Sequence, residues 1–209
     1  MQDATARGLG IAARSVGLTT DVYRPRGVGV PLVPGNRIVR LHAAFTGADI
    51  GFRRPNGYGD AVWFGLFDTA YTKPGDYLVQ NESIWFVAAQ PRLMPALVVR
   101  TDRSVSFFRA PAPKLTGVND YGGVTRTNAV PVLTYWPASV TGIHRGPESQ
   151  AKLPGDTIEA QWTVLLPGAS DVALMMGDLM HDDLGRDGVV AAAELSELGW
   201  RLLVRQAST

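Results

Sequence analysis

The sequence predicts a mainly β protein: two tandem small antiparallel barrel or sandwich modules behind one short N-terminal helix. Three observations predict it. Gly75-Asp76 opens a strand, Asn81-Glu82-Ser83 makes a polar turn, and Ile84 to Ala89 runs back as its partner. The same grammar returns later, where Gly177-Asp178 opens, Asp182-Asp183-Leu184-Gly185 turns and Val189 to Ala193 returns. The chain also holds 23 Gly and 14 Pro among 209 residues, which suits many turns and short strands better than long helices.

Residues 3–16 read as a helix with Leu9, Ala12, Ala13 and Val16 on one face and Gly17 as terminator. Gly8 and Gly10 weaken it, so it needs a partner surface. Residues 18–24 alternate and end at Pro25, as a strand does. A Gly-Val-Pro-rich loop (26–36), an alternating strand (37–45) and a second Gly-rich loop (46–60) follow. Val62, Trp63, Phe64, Leu66 and Phe67 predict a buried strand. The first hairpin and strands at 96–100 and 104–109 complete the first block.

Residues 110–130 read as a linker or arm. Pro111 and Pro113 stiffen its start, and Gly117, Gly122 and Gly123 loosen its middle. The second block then repeats four landmarks. Residues 132–137 are set beside 21–25, 160–166 beside 61–67, Gly177-Asp178 beside Gly75-Asp76, and 200–205 beside 96–100. The predicted division is an N-terminal helix (1–17), a first β module (18–109), an arm (110–130) and a second β module (131–209). Each module has about five strands, enough for a small barrel that limits its exposed edges by curling.

Composition narrows the function. Twenty Lys plus Arg against 19 Asp plus Glu leave a net charge of +1, with no global field calling for nucleic acid or an anionic membrane. The absence of cysteine excludes disulfides and thiolate metal sites. No apolar run is long enough to span a membrane, and the first residues lack the pattern of a signal peptide.

Candidate chemistry is sparse. His42, His144 and His181 stand in separate segments without a second ligand at metal spacing. No Gly-x-Ser-x-Gly elbow, phosphate loop or dinucleotide fingerprint occurs. His181-Asp182-Asp183 reads as a polar hairpin turn, with Asp182 or Asp183 bonding its own backbone, rather than as a metal site. Asp76 and Asp178 occupy equivalent repeat positions, so they fix two separate turns rather than pair. Trp63, Trp85, Trp136, Trp162 and Trp200 sit among apolar strand residues and read as core rather than a stacking platform. No catalytic, cofactor-binding or metal-binding residue is assigned. Arg53 and Arg54 in the second loop, and Val118, Tyr121 and Val124 in the arm, are the candidate partner contacts.

Several stretches carry a resemblance: the Val22-Tyr23-Arg24-Pro25 strand end, residues 73–79 and 84–90, Leu93-Met94-Pro95, and the closing 177–201 segment. Together they resemble virion proteins of tailed bacteriophages and prophages. The Gly-Asp hairpin also looks like the small barrels of head-completion proteins, the stoppers, adaptors and tail-joining proteins that form rings under the portal. The second hairpin departs from that pattern, because Asp187-Gly188 stands where a basic or aromatic residue is expected. A longer turn is the expectation there.

The resemblance implies a non-enzymatic structural protein without cofactor, made in the host cytoplasm and built into the virion at the head-to-tail junction. It would work as a symmetric homo-oligomer touching portal, capsid or tail components, with no membrane and no sequence-specific nucleic acid. A capsid decoration or tail-nozzle protein is the alternative within that class. From another class the alternative is a carbohydrate- or nucleic-acid-binding β module using exposed tryptophans.

Overall fold

The computed structural model describes residues 2–47, 61–110, 129–143, 160–168 and 172–207. One helix, α1 (Gln2–Val16), precedes twelve strands: β1 (Leu18–Tyr23), β2 (Arg37–Gly47), β3 (Val62–Leu66), β4 (Tyr77–Gln80), β5 (Ser83–Ala89), β6 (Ala96–Arg100), β7 (Arg103–Arg109), β8 (Val130–Gly142), β9 (Gln161–Leu166), β10 (Leu179–Asp182), β11 (Asp187–Ser196) and β12 (Gly199–Gln206). They close into two antiparallel barrels of six strands each. The first runs β1-β2-β3-β6-β5-β4 and the second β7-β8-β9-β12-β11-β10. Adding six to each strand number of the first gives the second, so the two halves share one strand order.

The repeat holds at the level of single residues. Trp63 pairs with Val98 and Trp162 with Val204. The Arg100 amide bonds the Ala61 carbonyl at 2.8 Å, and the Gln206 amide bonds that of Ala160 at 2.9 Å. Trp63 and Trp162 therefore occupy equivalent sites.

Three expectations are corrected. The barrels have six strands rather than five, and both are closed. Residues 103–109 belong to the second barrel, not the first, because β7 pairs with β8 and β10. The counterpart of 21–25 is therefore β7 with its end, Ser106-Phe107-Phe108-Arg109, and not 132–137, which lies in β8. The chain passes from one barrel to the other over two residues. The Thr101 amide bonds the Ile84 carbonyl of the first barrel, and the Asp102 amide bonds Ala138 of the second.

Alternation along β4, β5 and β6 explains how the barrels meet. Leu78, Trp85, Val87 and Val98 point into the first barrel with Val22, Ala43 and Phe67. Their neighbours Tyr77, Phe86, Ala88 and Val99 point the other way and join Phe107, Leu133, Trp136, Leu166 and Leu202 of the second barrel in one core. Both faces of β5 are thus buried, which is why its sequence is apolar without alternation. The Tyr77 hydroxyl, fully buried, donates to the Pro137 carbonyl at 2.8 Å. That burial holds its phenol pKa well above the ordinary range.

The loop between β1 and β2 crosses the junction. Indole Nε1 of Trp136 donates to the Gly29 carbonyl at 2.9 Å, and the Thr134 amide donates to Val28. Asn36, buried, ties the loop back by donating to the Pro31 carbonyl. Through Val28 and Gly29 this loop docks on the chain's own second barrel.

Helix α1 packs on β2, β3 and the short 3-10 turn Thr69–Tyr71, with Ala6 and Ala13 buried. Gly10 within the helix and Gly17 just after it permit this. A Cβ on Gly10 would stand 2.9 Å from Asp68 Cβ, and one on Gly17 would stand 2.5 Å from the Ala43 carbonyl oxygen. Gly10 thus weakens the helix by propensity but is required by its close approach to the barrel.

Candidate functional site

The most elaborate polar constellation occurs twice. Gly75 and Gly177 adopt φ of 95° and 92°, a region open to glycine. Their amides bond Val87 and Val190 carbonyls at 2.8 and 2.9 Å, and the next carbonyls, of Asp76 and Asp178, accept from Val87 and Val190 amides at 2.9 Å. The two aspartate side chains are buried, Asp76 at 0% exposure and Asp178 at 1%. Each is gripped by an arginine from the end of the first strand of its barrel. Arg24 Nε and Nη2 each lie 2.8 Å from the two Asp76 oxygens, and Arg109 makes the same two bonds to Asp178. A backbone amide completes each carboxylate: Lys73 at 2.9 Å and Met175 at 2.8 Å.

The hydrogen bonds raise both guanidinium pKa values, against desolvation and with a smaller contribution from charge attraction. A carboxylate that accepts a forked guanidinium and an amide has its oxygens engaged. Each clamp therefore closes a barrel by tying β1 to the β4 turn, or β7 to the β10 turn. The sequence placed the aspartates on separate turns, as found, but missed Arg24 and Arg109. The available signal was Tyr-Arg-Pro at 23–25 and Phe-Arg-Ala-Pro at 108–111, one per repeat.

The His181-Asp182-Asp183 cluster ends β10 and enters the hairpin turn at Asp183. Asp182, buried, accepts from the Leu184 and Arg186 amides at 3.0 and 2.8 Å and pairs with the Arg186 guanidinium. His181 Nδ1 lies 2.9 Å from Asp187. Among the described residues no group of His, Asp and Glu is arranged to hold a metal ion. The turn is longer than that of the first hairpin, where Gln80 pairs directly with Ser83. Asp187 stands opposite His181, and Gly188 is needed because a Cβ there would meet Val204 Cγ1 at 2.4 Å.

The tryptophans are core residues. Trp85, Trp136, Trp162 and Trp200 are buried, and half-buried Trp63 packs edge-on against Trp85 at 5.1 Å. Phe45 stacks on Trp85 at 4.5 Å, and Arg186 covers the Trp162 ring at 5.1 Å.

What faces outward is apolar at particular places. The β5–β6 tip exposes Leu93 and Met94, and the β11–β12 tip exposes Leu195 and Leu198. These are equivalent tips of the two barrels. A cleft of about 720 Å³ lies between α1 and β2, lined by Arg7, Ile11, Arg14, Arg40, His42 and Tyr71 among others. Arg40 is partly answered by Asp21, whose carboxyl the Arg40 hydrogen bonds hold below its usual range. The expected partner contacts Arg53, Arg54, Val118, Tyr121 and Val124 lie outside the described residues. No described helix is long and apolar enough to cross a membrane. Compared with protein-family models, with curated proteins and with solved structures, the chain matches none.

Proposed function

We propose that this chain is a structural virion protein of a tailed phage, acting at the head-to-tail junction as one subunit of a symmetric ring. The observation that supports this reading is where its polar chemistry and its apolar surface lie. Asp76, Asp178 and Asp182 are bound into turns, while the barrel tips present Leu93, Met94, Leu195 and Leu198 to solvent. Exposed apolar groups on ordered tips suit protein contacts. The burial of four tryptophans removes the platform that a sugar- or base-binding module would use.

The test is genetic. Deleting the gene from an inducible prophage that carries it should yield full heads and free tails that are not joined. Joined particles at ordinary yield would overturn the reading.

A further inference from the structure

We propose that copies of this chain associate head to tail, the β11–β12 tip of one copy seating in the cleft between α1 and β2 of the next. The inference rests on the ring reading above and names its contact.

The tip is a stiff knob. β11 and β12 pair as far as Ser196 and Gly199. The Ser196 hydroxyl accepts from the Leu198 amide and donates to the Gly199 carbonyl, both at 3.2 Å. Gly199 has φ of 112°, and a Cβ there would meet the Leu166 carbonyl oxygen at 2.3 Å, so the turn requires glycine at this position. A tip ordered in advance loses little freedom on docking. Leu195 and Leu198 are 57% and 49% exposed, and Glu194 and Glu197 are exposed beside them. Arg201 stands across the ladder from Glu194, which leaves Glu197 as the main charge at the tip.

The cleft has the opposite character. Arg7 and Arg14 project from α1, and Arg40 and His42 from β2, around Ile11, Leu41 and Tyr71. Among the described residues Arg7 and Arg14 have no acidic partner. The acid in the lining, Asp68, has Oδ1 bonded to the Ala70 amide. An acidic apolar knob thus meets a basic apolar cleft.

The molecule supplies its own control. The equivalent tip of the first barrel, residues 90–95, exposes Leu93 and Met94 but carries Arg92 and no acid. It offers the same apolar surface with the charge that the cleft repels, so charge selects the second-barrel tip. The cleft sits on the first barrel and the knob on the second, so the contact joins two different surfaces. Such a contact closes into a ring or propagates as a filament, according to its rotation.

Sedimentation velocity on the purified full chain, across concentration and salt, tests this. Wild type should associate, less so at high salt. Glu197→Arg and Arg14→Glu should each weaken association roughly 10- to 100-fold, and the two combined should regain it. Leu198→Ser should weaken it without a charge change, and Arg92→Glu should leave it near wild type. Circular dichroism checks that each variant folds. A wild type that stays monomeric, single reversals without effect, or a double reversal without recovery would each overturn the contact. The gene-deletion phenotype does not depend on any of these, so the virion reading stands or falls separately.

Discussion

Arg24→Ala should destabilise the protein by about 3 kcal/mol, the lower end of the range for breaking a buried ion pair by removing one partner. Asp76 has 0% side-chain exposure, and its oxygens are held by Arg24 and the Lys73 amide. Without the guanidinium one amide remains, and a buried carboxylate is left without its main partner. The lower end applies because Arg24 is 34% exposed, and water can enter where it stood. Arg24→Lys should recover only part, since an ammonium cannot reproduce the fork. Arg109→Ala should behave alike, because its two bonds to Asp178 have the same lengths. Arg40→Ala is the comparison. Its partner Asp21 is nearer the surface, and the unfolding midpoint should hardly move. Guanidinium chloride unfolding of the four variants checks the set. Equal effects at Arg24 and Arg40 would show that the clamps are ordinary surface pairs.

Trp136→Ala should cost about 3–5 kcal/mol, the range for deleting a large core aromatic. Trp136 is 0% exposed and lies in the core shared by the barrels, edge-on to Tyr77 at 6.1 Å. Its indole also donates to Gly29, so the change leaves a cavity and loosens the crossing loop. Hydrogen exchange should then rise at Thr134, whose amide bonds Val28 across the same junction, while β1–β2 amides stay protected. If Thr134 stays as protected as in wild type, the loop is held by something other than this indole.

Much of this architecture was legible in the sequence, for local reasons. Gly75-Asp76 and Gly177-Asp178 announce turns because a left-handed residue there must be glycine, and the requirement repeats with the fold. Trp63 and Trp162 mark the same strand in each barrel. Less legible was anything decided by distant partners. Arg24 and Asp76 are 52 positions apart, and nothing local to either reveals the other. Residues 104–109 follow β6 closely and read as the last strand of the first block, yet β7 pairs with β8 and β10 instead. The match of 132–137 to 21–25 failed because 132–137 lies in β8, the counterpart of β2, whereas the counterpart of β1 is β7. Gly10 was read by propensity, whereas close packing on Asp68 decides its identity.

The central claim concerns place, and place can be measured. Particles can be prepared from a host whose copy of the gene encodes an accessible epitope, labelled with gold-conjugated antibody and imaged by electron microscopy. Gold at the junction between head and tail is the expected result. Gold on the capsid faces or the tail tip, or none on intact particles, would contradict it.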